Sequence, residues 1–294
     1  MNNNCGKPKL NSSKEYYLYN GLISEPGEFP WMAFFFKKKS DILMDSCSAQ
    51  ILTEKIVITA GHCVSGPDSK SYVITGYFNR KKDTDPHRVH EVKRIYIHPQ
   101  YEILDFLGAQ ASLNDVAVLK IKDRIDILRP DIGTACLPIR EFNTSIVGFS
   151  VGQSRITILG YGKTEKKESS CCLRYAENIA TVSMEKCKRA LKQYGSVPGK
   201  ALMDITINEN TFCIKGDHDN HKVTTCFGDS GGGSYFKTED SRYVLVGITS
   251  FGRSNADGCD YRFPSVNTYI NPYIGWILNV VHKTMKTGDN ILKN

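Results

Sequence analysis

The chain has 294 residues, of which 40% are hydrophobic and 23% charged, so it can bury a sizeable core and is not a disordered tail. No stretch approaches the roughly 18 consecutive apolar residues that span a bilayer, so we expect no membrane attachment. The net charge of +7 is scattered along the chain rather than gathered into one basic stripe, which argues against nucleic-acid binding. The length fits one domain or two.

Ten cysteines are an even number and many for a reducing cytosol. The first ten residues lack the apolar core of a signal peptide, so we expect a secreted, disulfide-bonded protein whose signal peptide has been removed. Sequons at Asn11 and Asn143 fit exposed loops of a glycoprotein, although such tripeptides also arise by chance.

Short runs rich in Val, Ile, Tyr and Thr, separated by Gly, Asp, Asn and Lys, predict β-strands along most of the chain. These runs occupy residues 51–60, 115–121, 154–162 and 242–252. Helical spacing of apolar residues is clear only in residues 271–283, with Asn271 as a cap and Pro272 in the first turn. We therefore predict an all-β sandwich or barrel fold, closed by one C-terminal helix and followed by a polar tail.

Three separated motifs carry the residue types of nucleophilic catalysis: TAGHC around His62, NDVA around Asp115, and CFGDSGG around Ser230. A serine hydroxyl is a poor nucleophile until a base takes its proton, and the base needs a carboxylate to hold it in the right tautomer. Together the motifs resemble those of the trypsin and chymotrypsin family of serine proteases. The resemblance covers about residues 18–281 and implies two packed antiparallel six-stranded β-barrels with the active site between them.

By this resemblance Ser230 is the nucleophile, His62 the general base and then acid, and Asp115 the orienting carboxylate. The backbone N–H groups of Gly228 and Ser230 form the oxyanion hole. The implied protein is a secreted serine endopeptidase that acts on polypeptides through an acyl-enzyme, without cofactor or metal. Its expected partners are a protein inhibitor and an activating protease, and we expect a monomer that binds neither nucleic acid nor membranes.

Two rival interpretations remain open. The sequence GDSGG also satisfies the G-x-S-x-G pattern of α/β-hydrolases, whose acid and histidine follow the serine; only His282 lies downstream here, and strands do not alternate with helices. The stronger rival is a protease homologue that keeps the fold and the three residues but acts as a binding or regulatory subunit.

That rival is favoured by an atypical activation site. Family members are usually cut after a basic residue, and the new α-ammonium pairs with the aspartate before the nucleophile, here Asp229. The aligned residue is Tyr17, so a cut before Leu18 would need a protease that accepts aromatic residues.

The resemblance also implies how the chain is divided. Residues 1–17 form a propeptide-like segment, residues 18–283 the protease domain, and residues 284–294 a polar tail. Within the protease domain the barrels cover about 31–128 and 129–270, and a helix covers about 271–283.

The resemblance also implies four disulfides: Cys5–Cys136, Cys47–Cys63, Cys187–Cys213 and Cys226–Cys259. The adjacent residues Cys171 and Cys172 are left over. They could form a vicinal disulfide, pair with another chain or stay as thiols, and the sequence does not decide among these three states.

The base of the specificity pocket is expected at Thr224, six residues before Ser230, where trypsin-like enzymes carry aspartate. A threonine cannot compensate a buried guanidinium, so we predict cleavage after a neutral residue, aromatic or aliphatic. Either Asp257 or Asp260 could overturn this prediction by reaching the pocket.

Other pocket residues follow from the resemblance. Gly252 would leave the mouth of the pocket open and Ser265 would narrow it, while residues 250–252 (Ser250, Phe251, Gly252) match the stretch whose backbone pairs with an extended substrate. Residues 102–114 form a long segment whose apolar side chains would either overhang the substrate groove or pack on their own barrel. The basic loop around residues 76–85 does not suit calcium.

Overall fold

A computed structural model describes residues 4–9, 21–39, 42–66, 70–76, 85–106, 109–139, 148–164, 170–192, 204–216, 222–255 and 258–286. Five residues singled out in the sequence lie outside these ranges: Asn11, Tyr17, Leu18, Asn143 and Asp257. No helix in the described part of the chain has the length and apolar character needed to cross a bilayer.

The first half of the chain contains nine strands and one short helix. They are β1 (Leu22–Ile23), β2 (Met32–Lys39), β3 (Ile42–Thr53), β4 (Ile56–Thr59), α1 (Gly61–Val64), β5 (Lys70–Thr75), β6 (Val89–Ile97), β7 (Glu102–Phe106), β8 (Ala109–Leu113) and β9 (Ala117–Ile121). Six of the strands close into an antiparallel barrel in the order β2-β3-β4-β9-β6-β5. Strands β7 and β8 form a separate hairpin. Strands β4 and β9 are buried along their whole length, and all their residues except Thr59 and Lys120 are apolar.

The second half forms the other barrel. Its elements are β10 (Arg155–Gly160), β11 (Arg174–Val182), α2 (Met184–Lys192), β12 (Thr211–Lys215), β13 (Gly233–Lys237), β14 (Tyr243–Phe251), β15 (Ser254–Asn255), β16 (Gly258–Cys259), β17 (Ser265–Tyr269) and α3 (Ile274–Lys286). The strand order β11-β10-β13-β14-β17-β12 is closed by pairing of β12 with β11. Strand β1 pairs with the N-terminal end of β11, beyond the part of β11 that pairs with β12. The residues that precede the first barrel in sequence therefore pack on the second barrel.

The predicted fold class, two antiparallel six-stranded barrels with a C-terminal helix, is confirmed. Three local predictions differ from the structure. The run 51–60 is divided between β3 and β4 by a turn. The terminal helix starts at Ile274, after a 3-10 turn at Asn271–Tyr273, and continues to Lys286, so residues 284–286 are not part of a tail. Helix α2 was not predicted, because it is only nine residues long and Cys187 is its only buried residue.

The interface between the barrels positions the nucleophile motif. On β3, the Ser48 N–H donates to the Ser230 carbonyl (2.8 Å) and the Gln50 amide donates to the Gly231 carbonyl (2.5 Å). Buried aromatic rings join the two barrels beside these contacts, with Trp31 and Tyr235 at a centroid distance of 5.5 Å. The loop that carries Ser230 is therefore fixed by the first barrel although it belongs to the second.

Five disulfides are present: Cys5–Cys136, Cys47–Cys63, Cys171–Cys172, Cys187–Cys213 and Cys226–Cys259. Four of them are the pairs that the resemblance implied. The fifth joins the two adjacent cysteines, which is the vicinal alternative among the three left open.

Candidate active site

The ends of two paired strands bring His62 and Asp115 together. Strands β4 and β9 are antiparallel, with Thr59 opposite Ala117, so the residues just after β4 and just before β9 are neighbours. The His62 Nδ1 atom lies 2.7 Å from Asp115 Oδ2, and the His62 backbone N–H donates to Asp115 Oδ1 at 2.8 Å. A third donor, the Ser250 hydroxyl on β14, lies 2.5 Å from the same carboxylate. The side chain of Asp115 is only 1% exposed.

The burial of this pair affects both protonation equilibria. Burial alone would raise the pKa of Asp115, but the charge and hydrogen bonds of His62 and the Ser250 hydroxyl outweigh it, so the pKa of Asp115 is lowered. Burial opposes protonation of His62, but the Asp115 carboxylate outweighs burial and raises the pKa of His62. Lys37 has the opposite, smaller effect and lowers the pKa of His62. The carboxylate therefore stays ionised and favours the imidazolium.

Ser230 and His62 line the same open cleft, which has a volume of about 830 Å³. Among the described residues no hydrogen bond joins the Ser230 hydroxyl to the imidazole. The Nε2 atom of His62 lies 3.8 Å from Cys63 Sγ, on the disulfide that forms part of the cleft wall. Catalytic hydrogen bonds are often long in the absence of substrate, so this geometry is compatible with proton transfer once a ligand is bound.

Two backbone N–H groups beside the Ser230 hydroxyl are available to a ligand. The carbonyl of Phe227 accepts a hydrogen bond from the Lys163 N–H at 2.8 Å, which directs the following N–H, that of Gly228, away from Lys163. Within the described part of the chain neither the Gly228 N–H nor the Ser230 N–H donates a hydrogen bond. Gly228 has a φ of 94°, a conformation that disfavours a side chain, and a Cβ there would lie 3.1 Å from the Gly162 Cα.

Asp229 is buried under the same loop. Its carboxylate accepts hydrogen bonds from the Gly162 and Cys226 N–H groups, each at 2.8 Å. Burial raises the pKa of Asp229 to about 6, although both N–H groups and the charge of Arg174 act in the opposite direction. A Cβ on Gly162 would lie 2.5 Å from the carboxyl carbon of Asp229, so glycine is needed for this close approach.

The predicted pocket residues divide into two groups. Ser250, Phe251 and Gly252 line the cleft. Thr224 and Ser265 are buried and are not among the residues that line the cleft; their hydroxyl oxygens lie 3.1 Å apart.

The carboxylate of Asp260 contacts Arg262. Its two oxygens accept hydrogen bonds from Arg262 Nε and Nη2, each at 2.7 Å. Asp260 is not among the residues that line the cleft. The structure therefore does not support the possibility that Asp260 supplies a negative charge to the specificity pocket.

The cleft wall also contains the Cys47, His62 and Cys63 side chains, whose donor atoms lie within 4.8 Å of one another. Both sulfurs are bonded to each other in a disulfide, so they have no thiolate to offer a metal.

The Trypsin family model matches residues 19–277. The chain belongs to the trypsin family. Its relatives include CLIP domain-containing serine protease B14 of Anopheles gambiae (28% identical over 286 residues, 88% of this chain and 71% of the relative) and venom serine protease 34 of Apis mellifera (28% over 280 residues, 94% and 60%). Limulus clotting factor C of Carcinoscorpius rotundicauda is 27% identical over 291 residues, 93% of this chain but only 26% of that protein.

Several residues of this trypsin-family cleft were not singled out in the sequence. They are Tyr161, Lys163, Thr225, Phe227 and Arg253, whereas Ile103 belongs to the segment 102–114 that was expected to overhang the groove or pack on its own barrel. Ile103 is 51% exposed on the β7–β8 hairpin and lines the cleft, so this hairpin forms part of the groove wall. The aromatic Phe227 precedes Gly228 and could have been found from its position in the nucleophile motif; no local pattern identifies the others.

Proposed function

We propose that the chain is a serine endopeptidase in which Ser230 is the nucleophile, His62 the general base and Asp115 its orienting carboxylate. The observation that carries this proposal is the buried, three-donor carboxylate of Asp115, held 2.7 Å from the imidazole on the wall of the cleft that also contains Ser230. The cleft is open enough for an extended polypeptide, and its wall includes residues 250–252, whose backbone would pair with the substrate.

In the proposed reaction the Ser230 oxygen attacks the scissile carbonyl while Nε2 of His62 takes its proton. The oxyanion accepts hydrogen bonds from the unpartnered N–H groups of Gly228 and Ser230. His62 then donates the proton to the leaving amine, which departs and leaves an acyl ester on Ser230. A water molecule, deprotonated by His62, attacks the ester, and the proton returns to the serine as the acid product leaves.

The uncharged hydroxyl pair of Thr224 and Ser265 supports cleavage after a neutral side chain. A buried guanidinium without a carboxylate partner would cost several kcal/mol, so Arg and Lys substrates are disfavoured at this position. The raised pKa of Asp229 supports a zymogen, because a new α-ammonium placed beside this carboxylate would remove the burial penalty. We propose that a cut before Leu18 supplies that cation, and that the chain is secreted and works outside the cell.

The alternative is a catalytically silent homologue that binds partners. The non-basic Tyr17 favours it, and the available oxyanion N–H groups argue against it. The two functions differ in one observable. The purified chain is treated with a fluorophosphonate before and after limited proteolysis, and the adduct is mapped by mass spectrometry.

Labelling of Ser230 that depends on His62 supports the peptidase, and labelling that appears only after a cut before Leu18 supports the zymogen. A Ser230→Ala variant is the matched control for non-specific labelling. If Ser230 stays unlabelled in every cut and uncut form while the fold is intact by circular dichroism, the silent homologue is the correct function.

A further inference from the structure

The charged side chains among the described residues that line the cleft are of one sign. Two of them are cationic, Lys163 and Arg253, and none is a carboxylate. Both cations are exposed and both come from loops at the rim: Lys163 follows β10, and Arg253 follows β14. A charged rim attracts ligands of opposite charge and repels those of like charge.

An aromatic ring holds each cation at the rim. The Lys163 ammonium lies 5.6 Å from the centre of the Phe227 ring, which is itself 59% exposed at the mouth of the cleft. The Arg253 guanidinium lies 4.3 Å from the centre of the Phe263 ring. Stacking on a ring limits the conformations of a long side chain. The two charges are therefore partly preorganised.

A third cation, Lys37, lies behind the wall of the cleft next to Ser65. The Lys37 ammonium donates to the Ser65 carbonyl at 2.6 Å, and Ser65 lines the cleft next to His62. Its charge reaches the imidazole, as its effect on His62 shows. Lys37 therefore adds positive charge behind the wall near His62, where the Asp115 carboxylate has the larger effect.

We propose that this cleft selects polypeptide segments that carry Asp or Glu on the residues flanking the scissile bond, with Lys163 and Arg253 as the specificity-determining residues. The inference rests on the proposed peptidase function and adds a substrate class to it: a neutral residue in the pocket, acidic residues beside it, and no basic residues nearby. Because Arg253 directly follows the strand segment 250–252, it contacts substrate residues on the acyl side, and Lys163, beside Gly228, contacts residues nearer the bond.

The test uses the activated enzyme and a set of internally quenched peptides with one neutral residue in the pocket. Glu, Gln or Lys is placed at each of four positions on either side of the bond. We expect kcat/KM for the best Glu peptide to exceed that of its Gln counterpart about two- to fivefold, the range of a partly exposed ion pair. The difference should lie in KM and should disappear at about 1 M salt.

Two single variants, Lys163→Gln and Arg253→Gln, should each remove the preference for Glu over Gln at a different set of positions. Lys237→Gln is the matched control, because Lys237 also lies over an aromatic ring, 5.3 Å from the centre of Tyr243, but does not line the cleft. It should leave the preference intact.

Equal cleavage of Glu and Gln peptides by an enzyme whose Ser230 is labelled would overturn the inference and leave the proposed function standing. A Glu preference that survives both variants would overturn the assignment to Lys163 and Arg253. If no peptide is cleaved and Ser230 is not labelled, the proposed function fails and this inference fails with it.

Discussion

Both carboxylate oxygens of Asp115 contact nitrogen atoms of His62: Oδ2 lies 2.7 Å from the ring Nδ1, and Oδ1 accepts the backbone N–H at 2.8 Å. The carboxylate therefore fixes both the position of the residue and the direction of its ring. With the proton held on Nδ1, the lone pair on Nε2 is the one available to a serine hydroxyl. The pair acts as one unit, which makes it the first target for mutation.

Asp115→Asn should lower kcat about 10⁴-fold, because an amide at this site favours the wrong imidazole tautomer while keeping nearly the same shape. Turnover of a neutral-residue peptide and the rate of fluorophosphonate labelling at Ser230 measure the effect. Ser250→Ala, which removes only one donor to the carboxylate, serves as the comparison and should cost far less. Equal activity of Asp115→Asn and the native chain would contradict the role given to Asp115.

Lys37 should influence the pH dependence of the same reaction. Its charge lowers the pKa of His62, so Lys37→Met should raise that pKa. Because the neutral imidazole is the active form, the acidic limb of the kcat/KM profile should move to higher pH. Lys70→Met, on the strand paired with β2, removes an exposed lysine and is the control. An unmoved acidic limb in a folded Lys37→Met enzyme would disprove the coupling.

The family motifs made most of the fold predictable. Each motif specifies a local turn and a neighbouring strand, so TAGHC and NDVA mark the paired ends of β4 and β9. Helix α2 escaped prediction because it is only nine residues long and only Cys187 is fully buried, although the Cys187–Cys213 disulfide and the packing of Leu191 attach it to the second barrel.

The candidate site was predictable only where a motif contains the residue. Lys163 reaches the cleft because its N–H pairs with the Phe227 carbonyl, a contact between residues that are far apart in sequence. The contact between Thr224 and Ser265 on β17 is of the same kind, since these residues are far apart in sequence and their hydroxyl oxygens lie 3.1 Å apart. Both features follow from the path of the chain rather than from local composition.

Asp229 should make the stability of the uncut chain depend on pH. Burial raises its pKa in the folded state to about 6, above the ordinary value of 3.8, so the folded state binds the proton more tightly than the unfolded state does. The resulting stability is fully present below pH 3.8 and is lost as the pH rises through about 6. The difference corresponds to about 3 kcal/mol in the free energy of unfolding.

Urea unfolding at several pH values between 3.5 and 7 measures this effect on the uncut chain. Asp229→Asn should flatten the pH dependence in that window, whereas Glu239→Gln, which removes an exposed carboxylate, should not. In a chain cut before Leu18 the loss at higher pH should become smaller, because the proposed ammonium favours the ionised carboxylate. A pH dependence that is the same in Asp229→Asn and the native chain would show that Asp229 is not the titrating group.

Thr224→Asp should convert the pocket to one that accepts basic residues. The new carboxylate would supply the partner that a guanidinium needs, and kcat/KM for an Arg peptide relative to a Leu peptide should rise about 10²-fold. Because the Ser265 hydroxyl covers this position at 3.1 Å, the double variant Thr224→Asp, Ser265→Gly should show a larger gain than the single one. Thr224→Ser keeps an uncharged hydroxyl and should leave the preference unchanged. If the native enzyme already prefers Arg, the uncharged base of the pocket does not determine specificity, and another carboxylate must enter the cleft.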